Sequence, residues 1–341
     1  REVHAPITAR IKLLAGLKIN ISNKPQDGRF TIVMAEDRVE VRVSVIPTAH
    51  GESLVMRILR TAVEKIPFDE IGLRGQALAA LKVQISRPAG MILNSGPTGS
   101  GKTTTLYAIL HSLNSPEVKI ITIEDPIEYQ IVGISQSQVA AEAGYDFAGA
   151  LRSIVRQDPD IIMVGEIRDQ ETAGIAVQAA LTGHLVLSTV HTNSAAATIP
   201  RLVSLGTKPF LIAPALNCVI AQRLVRKVCL ACQTKDTISP EIKNKVKEIL
   251  GVLWPAKTVF VKGQGCKECM GFGYKWRVGI FEVIEMNDEL KTYILETQEN
   301  ASEYEILARA KKHGMITMVQ DGLLKALEGA TTVEEVFRVT E

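Results

Sequence analysis

The sequence predicts an α/β protein whose main part is a parallel β-sheet with helices on both faces. From about Gly75, short apolar segments alternate with helical segments, which is the pattern of repeated strand–helix units. A smaller α+β segment precedes this part, and a Lys- and Gly-rich segment with paired cysteines follows it. The 341 residues are 46% hydrophobic and 22% charged, a balance that excludes disordered and collagen-like proteins.

The N-terminal segment is expected to form a small α+β domain. Apolar residues at helical spacing predict an amphipathic helix over residues 7–19, and Pro25 to Gly28 then breaks the chain. Strands are expected at 30–35 and 38–46, on either side of a turn at 36–37, and a connector at 61–67. Valines alternate with polar residues in the second strand, so Arg42 faces away from the valine face.

The central segment carries the parallel-sheet pattern. Strands are predicted at residues 91–94, 120–123, 161–164 and 185–190, with helices at 103–113, 147–156 and 170–181. From about Glu289 to the end the sequence predicts helices. Cys218 lies in an apolar stretch that the sequence predicts as helical, where a small core residue is expected.

A glycine-rich segment between the first of these strands and its helix fits the pattern G-x-x-x-x-G-K-[ST]. Its glycines let backbone N–H groups curl around a phosphate chain, at a helix N-terminus with partial positive charge. We expect Lys102 to reach the β- and γ-phosphates of a nucleotide and Thr103 to bind Mg²⁺. The expected phosphate-binding residues are Gly96, Pro97, Thr98, Gly99, Ser100, Gly101, Lys102, Thr103 and Thr104.

A carboxylate follows the third predicted strand of the central segment. Nucleoside triphosphatases with such a loop usually have an aspartate at the end of a second apolar strand, but here Gly165 occupies that position. Glu166 is the nearest carboxylate that could act as a general base. The other interpretation is a surface glutamate with no chemical role.

Four of the five cysteines form two C-x-x-C pairs. They are Cys229 with Cys232 and Cys266 with Cys269. Four thiolates suit tetrahedral Zn²⁺, and the glycines around the second pair favour a tight turn. A redox pair is the alternative, although one C-x-x-C would be enough for that role.

Four ordered motifs resemble the secretion-superfamily ATPases, the hexameric motors of type II secretion and type IV pilus assembly. They are the glycine-rich loop and the segments 121–128, 165–169 and 183–193. The stretch 25–29 and the cysteine pairs are similar to the secretion and pilus-extension branch. The resemblance implies a RecA-like core at 75–226, a partial PAS-like domain at 1–62, a linker at 63–74, a zinc lobe at 227–275 and a helical region at 276–341.

The resemblance also implies roles for individual residues. Glu166 matches an atypical Walker B glutamate. His184 and His191 match a His box, but they flank one strand at an odd spacing and are not expected to serve one catalytic step together. The family's Asp box corresponds to Glu124, Asp125 and Glu128. Arg42 and Arg57 correspond to arginines that approach the phosphates, and Arg152 and Arg168 to arginines that face a subunit interface.

The expected function is therefore that of an ATP-hydrolysing homo-hexamer that uses Mg²⁺ and carries Zn²⁺. Its expected location is cytoplasmic, at the inner membrane, with platform and recruitment proteins as partners. No signal peptide or membrane-spanning segment is visible in the sequence. Members of this family usually have further strands and a recruitment domain before the first helix, so the resemblance implies that this chain is truncated at its N-terminus.

The sequence is also compatible with other functions. They are a pilus-retraction motor, a DNA-handling motor, a nucleotide-dependent switch and a scaffold that does not hydrolyse ATP. A net charge of +2 disfavours direct nucleic-acid binding, and the segment 23–26 lacks the aspartate of a guanine-specific N-K-x-D element.

Overall fold

The computed structural model describes residues 3–34, 38–60, 66–256 and 258–340. The chain divides into two compact units. Unit 1 contains Arg1–Lys65 and Pro126–Val132, and unit 2 contains Ile66–Asp125 and Gly133–Glu341. The described helices are α1 (His4–Leu14), α2 (Phe68–Ile71), α3 (Gly75–Ile85), α4 (Lys102–Leu113), α5 (Phe147–Ile154), α6 (Gln170–Leu181), α7 (Thr198–Ser204), α8 (Pro209–Ala215), α9 (Pro240–Leu250), α10 (Asp288–Thr297), α11 (Glu303–Lys312), α12 (Met318–Leu327) and α13 (Val333–Thr340). The described strands are β1 (Gln26–Val33), β2 (Arg38–Thr48), β3 (Gly51–Arg60), β4 (Gly90–Ser95), β5 (Ile120–Glu124), β6 (Ser135–Gln138), β7 (Ile161–Val164), β8 (Leu185–Val190), β9 (Leu216–Val228), β10 (Gln233–Asp236), β11 (Phe260–Gly263) and β12 (Tyr274–Glu285).

Unit 1 contains helix α1 and an antiparallel sheet in the order β1-β2-β3. Val41, Val43 and Val45 are buried, which confirms the valine face predicted for β2. Arg42 lies on the opposite face of β2. Its neighbours across the sheet are Arg29 on β1 and Arg57 on β3.

Two boundaries predicted for unit 1 are wrong. The first helix ends at Leu14, not at residue 19, because Gly16 adopts a left-handed φ of 71° and turns the chain. Strand β1 begins at Gln26, inside the predicted break, because its first residues pair with β2. Residue 35, the predicted turn at 36–37 and most of the connector, 61–65, lie outside the described residues.

Unit 2 is built on a sheet in the order β12-β9-β4-β8-β7-β5-β6. All neighbouring strands are parallel except β12, which pairs antiparallel with β9. Strands β4, β5, β7 and β8 are buried along their whole lengths. The predicted α/β fold with a mostly parallel sheet is therefore confirmed, and the four central strands match their predicted positions within one residue at each end.

The sequence patterns do not predict β3, β9 and β12. The first seven residues of β9 are all buried, so this strand shows no alternation of apolar and polar residues. Cys218 is buried as expected, but it lies in β9 and not in a helix. The helices expected after Glu289 are present, whereas residues 276–285 belong to β12.

Candidate functional site

The glycine-rich loop joins the end of β4 to the start of α4. Its shape requires glycine, since Gly96, Gly99 and Gly101 have φ angles of 149°, 80° and 89°. The Lys102 ammonium folds back over the loop and donates to the backbone oxygens of Gly96 (2.7 Å) and Pro97 (3.1 Å). Thr103 and Thr104 are exposed in the first turn of α4. The predicted phosphate-binding residues therefore form a loop at 96–101 and the first turn of α4 at 102–104.

Lys102 is a buried cation with other charged groups nearby. Burial lowers the pKa of its ammonium group, the Glu166 carboxylate opposes this shift, and the Arg223 guanidinium reinforces it. Two cations and one carboxylate thus share a small region at the carboxyl end of the parallel strands. Such a region favours a bound polyanion, because an anion relieves the repulsion between the cations.

Glu166 follows β7 directly after Gly165. The Gly165 N–H donates to the Ile123 oxygen (2.7 Å) and its own oxygen accepts from the Thr189 hydroxyl (2.7 Å), which fixes the turn between β5 and β8. The Glu166 side chain is 11% exposed. One of its carboxylate oxygens lies 2.5 Å from the Arg168 guanidinium, and the other lies 3.3 Å from Nε2 of His191.

The two histidines of the predicted His box lie at opposite ends of β8. His191 follows the strand and reaches Glu166, whereas His184 precedes the strand and its Nδ1 lies 2.9 Å from the Ala179 oxygen. The structure therefore brings one of them to the glutamate and holds the other at the amino end of the sheet.

The residues of the predicted Asp box have different surroundings. Glu124 ends β5 and is buried. Its oxygens accept from Thr122 (2.6 Å), from Gln136 (3.1 Å) and from the Tyr107 hydroxyl. Asp125 is exposed. Glu128 belongs to unit 1, where one of its oxygens lies 3.7 Å from the Arg42 guanidinium.

The four predicted arginines also have local surroundings of different kinds. Arg42 additionally contacts Glu40 (3.3 Å) and the Ile127 oxygen, and Arg57 is exposed on β3. In unit 2, Arg152 pairs with Glu171 on the surface, and Arg168 pairs with Glu166.

Three polar residues near the loop were missed at the sequence level because their strands, β9 and β12, were missed. Gln222 donates to the Ser100 oxygen (2.6 Å), and Arg223 donates to the Asn193 oxygen (3.1 Å). Glu282 accepts from the backbone N–H of Ala195 (2.8 Å). A polar pair directly after the apolar run that ends at Ala221 could have indicated Gln222 and Arg223, but it does not indicate Glu282.

The four predicted metal ligands converge. The sulfur atoms of Cys229, Cys232, Cys266 and Cys269 all lie within 4.8 Å of one another. Three sulfur–sulfur distances are 3.9, 3.8 and 3.7 Å. Four sulfurs at a Zn–S bond length of about 2.3 Å in a tetrahedron lie about 3.8 Å apart, so this cluster has the size for zinc.

The protein environment favours a thiolate at one of these positions. Burial opposes ionisation of Cys269, but the N–H groups of Cys266 and Gly273, together with the Cys266 and Cys232 thiols, lower its pKa to about 6. The two N–H groups lie 3.1 and 3.2 Å from its sulfur. Cys218, in contrast, is fully buried in β9, and burial raises the pKa of its thiol.

The family model "Type II/IV secretion system protein" matches residues 1–338. The chain belongs to this family. It is 48% identical to type II secretion system protein E of Xanthomonas campestris, over 99% of this chain and 59% of that protein. It is 46% identical to the type IV pilus assembly ATPase PilB of Myxococcus xanthus, over 97% of this chain and 58% of that protein.

Solved structures show the same fold. The pilus retraction motor PilT, solved with bound ADP, superposes with a TM-score of 0.66 and 28% identity, over 93% of this chain and 77% of that one. The chain spans about three fifths of the length of the two curated relatives named above. Within the described ranges, every helix is too short or too polar to cross a membrane.

The contrast between Glu124 and Asp125 gives a prediction about stability. Glu124→Ala should lower the free energy of unfolding by about 1–3 kcal/mol, because two buried donors and a partly buried one lose their acceptor. Asp125→Ala, at the neighbouring exposed position, should change it by less than about 0.5 kcal/mol. Urea unfolding followed by circular dichroism measures both. Equal stability of the two variants would contradict the structural role of Glu124.

Proposed function

We propose that this chain forms the ATP-hydrolysing part of a motor for type II secretion or type IV pilus assembly. The observation that carries the proposal is the placement of the glycine-rich loop and of Glu166, which follow β4 and β7 at the same edge of one parallel sheet. The relatives named as secretion and pilus-assembly proteins support the choice of machine. The core corresponds to a RecA-like domain and unit 1 to part of a PAS-like domain.

In this proposal the loop residues bind ATP and Glu166 acts as the general base. Loop N–H groups and Lys102 hold the phosphates, and the Thr103 hydroxyl is a ligand of Mg²⁺, which neutralises phosphate charge when bound. Glu166 accepts a proton from the attacking water. Its present partner, Arg168, is largely exposed and can rotate away without disturbing the core.

Other predicted residues have supporting roles. His191 contacts Glu166 and is placed to sense a change at that carboxylate. His184 acts at the opposite end of β8, next to the Ala179 oxygen. Asp125 and Glu128 organise water and metal near the nucleotide, while Glu124 supports them from the core. Arg42, Arg57, Arg152 and Arg168 act on phosphate or across a subunit boundary.

We further propose that the active form is a homo-hexamer at the cytoplasmic face of the inner membrane. Its partners are the platform and recruitment proteins of a secretion or pilus machine, and direct nucleic-acid binding plays no part. The exposed, partly paired arginines support assembly, since charged groups of this kind contribute little to the stability of a single subunit.

The cysteine cluster is proposed to hold one structural Zn²⁺. The cluster follows β9 and precedes β12, and the backbone N–H of Cys229 donates to the Gly273 oxygen (3.0 Å). A metal at this position stabilises the segment between the two strands without taking part in hydrolysis.

Substitution of Glu166 tests the catalytic proposal. Glu166→Gln should bind ATP with near-parental affinity but hydrolyse it about 10²–10⁴-fold more slowly, because an amide does not accept the proton. Lys102→Ala should instead weaken binding itself. Release of phosphate and binding of a fluorescent ATP analogue measure the two effects. Exposed Glu117→Gln is the control, and parental turnover by Glu166→Gln would show that the base is another residue.

Assembly should be visible in the concentration dependence of hydrolysis. If sites are completed between subunits, specific activity rises with protein concentration as oligomers form, and Arg152→Ala lowers it without lowering the melting temperature. Arg201→Ala, at another exposed arginine, should leave both unchanged. Light scattering of the same samples gives the mass. A monomer with constant specific activity would contradict the hexamer.

Zinc content can be measured directly. We expect one Zn²⁺ per chain by elemental analysis, lost in Cys229→Ser and retained in Cys218→Ala. Because four-thiolate binding supplies about 10–16 kcal/mol in small zinc peptides, metal loss should unfold the local segment and leave the parallel sheet folded. Protein prepared without chelator that contained no metal and four titratable thiols would rule out the zinc site.

A further inference from the structure

Strand β9 runs parallel to β4, which leads into the glycine-rich loop, and Ala221 pairs with Ser95 at the end of β4. The next residue of β9, Gln222, therefore lies beside the loop itself. Its side chain is buried, with 1% of the residue exposed.

Both ends of the Gln222 amide are used. Nε2 donates to the Ser100 oxygen at 2.6 Å, and Oε1 accepts from Nδ2 of Asn94 at 2.8 Å. The same Asn94 nitrogen lies 3.3 Å from the Lys102 oxygen. This set of hydrogen bonds links β9 to the end of β4, to the loop and to the first turn of α4.

The loop glycines make room for this residue. A Cβ atom on Gly96 would lie 2.7 Å from the Gln222 backbone oxygen, and one on Gly101 would lie 3.1 Å from Nε2 of Gln222. These two motif positions therefore exclude side chains partly because Gln222 packs against them. The backbone of the loop and the Gln222 amide form one closely packed unit.

We propose that Gln222 is a positioning residue for nucleotide binding, acting through the Ser100–Gly101 peptide. In a trans peptide the oxygen of one residue and the N–H of the next point in opposite directions. The hydrogen bond from Gln222 holds the Ser100 oxygen towards β9, so the Gly101 N–H points away from β9. That orientation makes the N–H available to a phosphate. The inference rests on the proposed nucleotide binding and deepens it.

Gln222→Leu tests this role, with Gln84→Leu as the matched control. Gln84 is also a buried glutamine, 3% exposed, but its Nε2 donates to Glu285 (2.8 Å) at the end of β12. Gln222→Leu leaves the buried Ser100 oxygen without its donor. Gln84→Leu removes a hydrogen bond to Glu285, whose side chain is exposed and stays hydrated. We expect Gln222→Leu to melt at a lower temperature. Only Gln222→Leu should bind ATP about tenfold or more weakly, because only there does the unpartnered oxygen belong to the loop.

Gln222→Glu adds a readout that loss of packing would not produce. A charged carboxylate next to the Ser100 oxygen repels it, whereas a protonated carboxyl group donates to it as the amide does. The ATP affinity of this variant should therefore rise between pH 8 and pH 6. The charged groups around this position are Lys102, Glu166, His191, Arg223 and Glu282. All these groups are also present in Gln222→Leu. Dividing the ATP affinity of Gln222→Glu by that of Gln222→Leu at each pH therefore cancels the effect of their titration.

The experiment is a titration of the parental chain and of each variant with a fluorescent ATP analogue and Mg²⁺ at pH 6, 7 and 8. Tenfold weaker binding by Gln222→Leu, parental binding by Gln84→Leu and recovery of Gln222→Glu at pH 6 would support the proposal. If Gln222→Leu bound ATP with parental affinity, the positioning role would be overturned and the proposed function would stand. The same holds if the ratio of the ATP affinities of Gln222→Glu and Gln222→Leu did not change with pH. A parental chain that bound no nucleotide would overturn the proposed function as well.

Discussion

The candidate nucleotide site depends on the position of β4 in the middle of the sheet. Each of its six residues is buried, and it pairs in parallel with β8 on one side and β9 on the other. A strand held on both edges and both faces ends at a fixed point in space. The glycine-rich loop begins at that point, so its backbone groups are positioned by the sheet before any ligand binds. Strands β7 and β8 end at the same edge and bring Glu166 and His191 to it, and β9 carries Arg223 past it on the way to Val228.

Burial of charge separates residues available for chemistry from residues that maintain the fold. Glu124 has three side-chain donors, and Glu282 accepts from two backbone N–H groups. Burial raises the pKa of Glu282. Both carboxylates are fully engaged inside the protein. Glu166 instead has two partners at the surface, Arg168 and His191, whose side chains are 68% and 46% exposed, so its surroundings can change without a rearrangement of the core.

Much of the sheet could be predicted from the sequence because its strands are short apolar runs separated by amphipathic helices. The glycine-rich loop was predictable because its spacing has few other structural explanations. Strand β9 was not, since a strand buried on both faces lacks the two-residue period and resembles a buried helix locally. The roles of Gln222 and Arg223 were hidden for the same reason. Their contacts to Ser100 and Asn193 join segments that are far apart in the chain, which no local pattern reveals.

The segment between β9 and β12 leaves the main sheet and returns to it at nearly the same point. Val228 pairs with Tyr274, and the Cys229 N–H bonds to the Gly273 oxygen, so the two ends of the segment touch. The entropic cost of bringing these two ends together grows only slowly with the number of residues between them. A much shorter connection could join β9 to β12 as a simple hairpin and leave the sheet order unchanged. The cysteine-bearing segment is thus an excursion from the sheet, although its Val246 and Leu250 pack in one buried cluster with Leu323 and Val336. A replacement would keep β9 in register beside the phosphate-binding loop only if it also covered these residues of α12 and α13.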